Sequence, residues 1–281
     1  MIDSHCHLAD KQFAADLDAV VARAEEHGVD AMIAIADDLA EAKQCFKIAE
    51  QYQQVFWTAG VHPHHAKYWK EGDDRTIEAM LASSPKGVAV GEIGLDYHYH
   101  SIPLMAGMNS PRETQQRVFQ LQLALAARLD LPAVIHNRDS QHQSSGSGAG
   151  RAWADLWQIV QAVKPRRAVL HCCTEKWSDV APWIEAGYLL SFTGIATYPQ
   201  AADIRETIRQ CPLEKMMIET DAPYLPPEAQ RAKGGRRVRN EPAFVTEVCK
   251  LIAEIKGISL PEVDTITTQT TVEFFNLLTV P

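Results

Sequence analysis

The chain has 281 residues, 46% of them hydrophobic and 22% charged, which excludes a largely disordered or collagen-like protein. Its 27 Lys and Arg against 36 Asp and Glu give a formal net charge of -9. That balance argues against wholesale coating of nucleic acid or of an anionic membrane and leaves room for a local basic patch.

The predicted elements alternate between short apolar runs and longer amphipathic ones. A strand over 2–5 ends in His5-Cys6-His7, and a helix over 13–26 follows. Next come a strand over 30–36, a helix over 39–51, a strand over 55–62 reaching His62, and a helix over 76–82. The strand over 87–94 carries Glu92 near its end and precedes the longest helix, 112–129. The strand over 132–137 presents His136. The Ser/Gly-rich stretch 139–150 reads as a flexible loop within the domain. A helix over 152–163, a strand over 167–172 with His171, a helix over 180–186 and a strand over 188–194 continue the alternation. A helix over 201–210 leads to the strand 216–221, which ends in Asp221, and helices over 242–255 and 261–278 close the chain. The strands are nearly continuous apolar runs, as expected when both faces are covered. Eight of them with intervening helices predict a single-domain α/β fold, a TIM-like (β/α)8 barrel over residues 1–281. An open doubly wound sheet is the alternative and usually has fewer strands.

The polar residues recur at one end of these strands. In a barrel the carboxyl ends share one face, where active sites are built. His5 and His7 project to the same side of their strand, while Cys6 points away. Glu92 would be costly to bury without a cation beside it. Asp221 reads either as part of this set or as a turn residue before Pro223 and Pro226. Four histidines and two carboxylates exceed what one tetrahedral zinc needs and suit two neighbouring divalent ions, a hydrolase arrangement. His62 would ligate or contact substrate. The stretch Arg231–Arg239 holds five cations in nine residues, and Gly234-Gly235 predict a loop there rather than a helix. With Arg138, its Arg236 and Arg237 are candidates for phosphate binding. Tyr68, Trp69, Tyr97, Tyr99, Tyr198 and Tyr224 are loop residues that form no obvious base-stacking array.

No run of about 18 apolar residues occurs, so no membrane span is expected, and no secretory signal is visible. Six cysteines without a CxxC pair read as free thiols of a reducing cytosol, so a cytoplasmic location is the expectation, and an acidic monomer is the default for the oligomeric state.

The ordered motifs IDSHCHL, GVHPHHA, VGEIGLDY, PAVIHNR, LHC, SFTG, IETDAPYLPP and RNEPAF, spread from residue 2 to 244, resemble the TatD family of metal-dependent deoxyribonucleases. The resemblance implies a TIM barrel with two divalent ions, Mg²⁺, Zn²⁺ or Mn²⁺. By motif, His5 and His7 would ligate one ion and His136 and His171 the other, with Glu92 bridging them. Asp221 would ligate the first ion and act as general base, and His62 would lie near the scissile phosphate. Asn240-Glu241-Pro242 would organise the mouth. The implied activity is hydrolysis of DNA, single-stranded by preference, as a 3′-5′ exonuclease, in some relatives linked to DNA repair. A metal-dependent ester or amide hydrolase, such as a D-aminoacyl-tRNA deacylase, is the competing reading, and a non-catalytic metal-binding barrel the third. The loop 139–150, the pair Cys172-Cys173 and the Tyr-His repeat after Asp96 depart from the family pattern, but none removes a ligand.

Overall fold

A computed structural model of the chain describes residues 1–98, 109–139, 151–234 and 238–277. Residues 140–150 of the Ser/Gly stretch, Tyr99, Arg236, Arg237 and Leu278 lie outside the described residues.

Eight strands form one sheet in sequence order, each parallel to the next. They are β1 (Ile2–Cys6), β2 (Ala31–Ala34), β3 (Val55–Ala59), β4 (Gly87–Asp96), β5 (Ala133–Arg138), β6 (Ala168–Leu170), β7 (Leu189–Phe192) and β8 (Met216–Ile218). A parallel bridge between Cys6 and Ala222 joins the last strand region to the first, so the sheet closes on itself. The backbone N–H of Asp221 donates to the His5 carbonyl at 2.9 Å, and that of His7 to the Ala222 carbonyl at 2.7 Å. This is the single-domain α/β TIM-like barrel that the alternating pattern predicts.

The helices are α1 (Leu17–Glu26), α2 (Leu39–Gln51), α3 (Asp73–Ala82), α4 (Arg112–Leu129), α5 (Ala152–Val163), α6 (Trp177–Glu185), α7 (Ala202–Gln210), α8 (Glu228–Gly234), α9 (Val245–Lys256) and α10 (Leu260–Phe275). The Asp38 side chain caps α2 by accepting from the N–H groups of Ala40 and Glu41 at 2.8 and 2.9 Å. Buried apolar faces of most of these helices pack on the outside of the sheet. A separate cluster fills the barrel interior, with Ile2, Ile33, Phe56, Val134, Val169 and Met217 among its members. Phe274 and Phe275 of α10 join this inner cluster.

Several boundaries differ from the sequence reading. Residues 10–16 form turns ahead of α1, with Phe13 buried beneath them. Helix α3 starts at Asp73, where two aspartates favour the positive end of the helix dipole. The predicted loop at Arg231–Arg239 is helical as far as Gly234. The reason is local. Thr197 Oγ1 accepts from the Glu228 N–H at 2.8 Å, and Glu228 pairs with Arg231 one turn on at 3.0 Å.

No described helix is long and apolar enough to cross a membrane. All six cysteines are free, five of them buried and Cys172 half-buried.

Candidate metal centre

Two irregularities in strand pairing aim the central side chains. Between Asp3 and Cys6, β1 carries one residue more than β2 opposite, and between Val90 and Ile93, β4 carries one more than β5. Such bulges re-aim side chains. The first lets Ile2 and His5 both face the barrel interior despite their odd spacing. The second sets Glu92 at the centre of the mouth.

The structure brings His5, His7, Glu92, His136, His171 and Asp221 together, with His62 beside them. Glu92 divides the group. Its Oε2 lies 3.4 Å from His5 Nε2 and 3.8 Å from His7 Nε2. Its Oε1 lies 2.8 Å from His136 Nδ1, 2.8 Å from His171 Nε2 and 3.6 Å from His62 Nε2. Asp221 Oδ1 stands on the Oε2 side, 3.2 Å from His7 Nε2 and 3.5 Å from His5 Nε2. His5 is fully buried and stacks on His171 with ring centres 4.0 Å apart. Asp221 lies three residues past the end of β8, at φ 57°, in a turn closed by the Tyr224 N–H donating to its carbonyl. Asn240 Nδ2 grips that turn by donating to the Thr220 and Tyr224 carbonyls at 2.8 and 2.6 Å. The group opens into a cavity of about 540 Å³, within the usual range for ligand sites. Arg138, at the end of β5, lines it.

Three carboxylates that the sequence reading missed stand behind the imidazoles. Asp96 Oδ2 lies 3.4 Å from His136 Nε2 and 2.8 Å from His64 Nε2. Glu219 Oε1 lies 3.4 Å from His171 Nδ1 and also accepts from the Cys172 N–H at 2.7 Å. Asp37 Oδ1 lies 3.8 Å from His7 Nδ1. The signal was the one used for the others, a carboxylate at or just past the carboxyl end of a strand. His62, read as a substrate contact, stands within ligand reach of Glu92 and His136.

These charges hold one another. Burial pulls the His7 imidazole down, but Asp37, Asp221 and Glu92 outweigh it and raise it to about 10. His136 rises to about 9 against the same burial because Asp96 and Glu92 flank it. His171 rises through Glu92 and Glu219, burial opposing. His5 goes down, through burial and then the neighbouring His171, and His62 goes down through burial. Burial works against the Glu92 carboxylate, yet His171 and His62 hold it well below its ordinary range. Asp221 is likewise lowered by His7 against burial. Both carboxylates are therefore ionised near neutral pH.

The donor set fits divalent ions. Among the described residues, three overlapping groups have ligand atoms within 4.8 Å of one another: His5-His7-Glu92, His5-His171-Asp221 and His62-Glu92-His136. Imidazole and carboxylate together suit zinc or manganese. His5 and His7 bring their Nε2 atoms to 3.2 Å, a separation that needs a shared proton or a cation between two lone pairs. The outer nitrogens of His5, His7 and His171 are buried without a well-formed hydrogen bond; Asp37 and Glu219 hold those of His7 and His171 by charge, at 3.8 and 3.4 Å. The predicted site residues Arg236 and Arg237 lie outside the described residues.

Comparison with known proteins gives a consistent result. The family pattern of TatD-related DNases matches residues 2–276. The chain is 31% identical to the uncharacterised metal-dependent hydrolase YabD of Bacillus subtilis, over 99% of both proteins. It is 35% identical to the 3′-5′ ssDNA/RNA exonuclease TatD of Escherichia coli, over 92% of both. The crystal structure of YjjV, a TatD homologue from Escherichia coli, superposes with a TM-score of 0.84 at 28% identity, covering 99% of this chain and 98% of that one.

Proposed function

The chain belongs to the TatD-related DNase family of metal-dependent hydrolases, and on that premise we propose that it is a two-ion phosphodiesterase trimming single-stranded DNA from the 3′ end. One observation carries the reading. Glu92 turns Oε2 to His5 and His7 and Oε1 to His136 and His171, so one carboxylate spans two separate sets of imidazoles. His5, His7 and Asp221 would hold one ion and His136 and His171 the other. Divalent ions bound there would polarise a phosphoryl oxygen and lower the pKa of water.

The remaining chemistry belongs to this chain's residues. The ionised Asp221 carboxylate takes the proton of the attacking water as general base. Glu219, Asp96 and Asp37 orient His171, His136 and His7 from behind. Arg138 lines the cavity where the phosphate would lie and offsets its charge, and His62, kept neutral by burial, lines it as a hydrogen-bonding group. Contacts of this kind address phosphates and impose no sequence preference. The relatives' names extend the candidate substrates to single-stranded RNA.

The test is end-labelled single-stranded DNA incubated with metal-loaded protein beside Glu92→Ala. A ladder that shrinks from the 3′ end and vanishes in Glu92→Ala supports the reading. A variant retaining more than about a tenth of the wild-type rate would remove Glu92 from the spanning role. No cleavage of DNA or RNA with Mg²⁺, Mn²⁺ or Zn²⁺ would overturn the nuclease assignment.

A further inference from the structure

Six non-glycine residues among those described have φ in the left-handed region: Asp130, Lys164, Cys172, Asp221, Leu225 and Asn276. Asp130, Lys164 and Asn276 terminate α4, α5 and α10, where that conformation is ordinary. The other three, Cys172, Asp221 and Leu225, all line the cavity of the candidate metal centre. Strain that helix ends do not explain is thus gathered at one place, as it is at functional sites.

Leu225 belongs to an apolar wall on one side of this cavity, together with Ile195 and Tyr224. The wall is built rather than incidental. A Cβ at Gly194 would lie 2.7 Å from the Leu225 carbonyl oxygen, so only glycine lets the two loops meet this closely. Tyr224 is fixed at both ends. Its hydroxyl donates to Asp10 Oδ2 at 2.7 Å, and its carbonyl accepts from Asn240 Nδ2 at 2.6 Å. Its ring meets His7 edge-on with centres 5.7 Å apart, and the residue remains 43% exposed. Of the large apolar side chains exposed among the described residues, Tyr68, Leu121 and Tyr224, only Tyr224 lines the cavity. An open aromatic ring held rigidly beside an anion-binding pole matches a ligand with a flat apolar part next to a phosphate.

We propose that Tyr224, Leu225 and Ile195 form a stacking wall for the nucleobase of the nucleotide whose phosphate is cleaved. The proposal rests on the nuclease reading and adds to it a base subsite. The tyrosine hydroxyl is engaged by Asp10, and Leu225 and Ile195 carry no polar side-chain atoms. The wall therefore takes any base by its face and reads no edge.

The test uses metal-loaded protein and three single-stranded oligothymidylates: one intact, one with an abasic sugar at the 3′ end, and one with it at the 5′ end. Wild type should cut one abasic substrate more slowly than the intact strand, by roughly 5- to 150-fold, the range of base–aromatic stacking. Tyr224→Ala should lose a similar factor on the intact strand and show no further loss on the abasic one. Tyr68→Ala, whose ring is exposed away from the cavity, should leave both rates unchanged. Tyr224→Phe should keep the discrimination, because the ring and not the hydroxyl carries it. Wild type indifferent to the missing base at either end would overturn the wall, as would Tyr224→Ala that still discriminates. Circular dichroism and Mn²⁺ affinity of Tyr224→Ala report its fold. Should that variant not fold, the wild-type comparison alone decides. Failure of wild type to cleave any strand would instead sink the nuclease reading, and the wall with it.

Discussion

Gly94→Ala adds one methyl group to β4 at the point where β4 faces His136 of β5. Gly94 has φ 139°, a region that L side chains rarely adopt. The added Cβ would stand 2.1 Å from the His136 carbonyl oxygen and 2.9 Å from its backbone carbon and nitrogen. Backbone cannot rotate away as a side chain can, so the β4–β5 pairing must move. Forcing a residue into a sparsely populated backbone region costs on the order of 1–3 kcal/mol. Overpacking adds roughly 1–3 kcal/mol, for a total of about 2–6 kcal/mol out of a typical 5–15. Gly257→Ala is the control. It ends α9 at φ 67° with nothing within 4 Å of the added Cβ, so it carries the backbone cost alone, about 1 kcal/mol. Urea unfolding should therefore show a markedly lower midpoint for Gly94→Ala than for Gly257→Ala. Calorimetric titration should show weaker divalent-ion binding only for the former, because His136 moves with its backbone. If the two variants unfold within roughly 0.5 M urea of each other, the steric argument is refuted.

Other consequences are measurable. Burial, with Asp139 adding, raises Glu175 to about 7, Arg151 opposing, against an ordinary value near 4.5. The neutral carboxyl is the form the fold favours, so this contribution is fully present below about pH 4.5 and is lost as pH rises through about 7, up to roughly 3 kcal/mol. Glu175→Gln should then raise the melting temperature at about pH 9 and change it little at about pH 5; equal effects at both would sink the assignment. Glu219→Gln and Asp37→Asn should each weaken divalent-ion affinity by roughly 10- to 100-fold, read by calorimetric titration. Unchanged affinity in either would remove that carboxylate from the support of its imidazole. Adding Mn²⁺ at about a hundred times its Kd should stabilise the fold by ~2.7 kcal/mol per site in thermal melts, reversed by chelation. Absence of any shift would mean that the cluster takes no ion in the folded state.

The barrel was legible because parallel strands buried on both faces leave continuous apolar runs, as in AVI before His136 and AVL before His171. The six central side chains were legible for a related reason: polar residues at the ends of such runs have few structural uses. The bulges that aim His5 and Glu92 left no mark, because a bulge is a property of two paired strands rather than of one. Asp37, Asp96 and Glu219 were overlooked because each faces an imidazole carried by a different strand, a relation that exists only once the strands lie side by side. Helix α8 was missed because Gly234-Gly235 signals a break, whereas the Glu228–Arg231 pair carries the turn through to Gly234. Tyr224 looked like one loop aromatic among several, and only its tethers to Asp10 and Asn240 set it apart.

The seam between β1 and β8 has a temporal side. His5 and His7 precede Asp221, and the Asn240 that holds its turn, by more than 200 residues of chain. Until the Cys6–Ala222 bridge forms, the two halves of the cluster have no common frame. At ordinary translation speeds of ~5–20 residues per second, His7 is made upwards of ten seconds before Asp221. The cluster as a whole therefore exists only once the ring is shut.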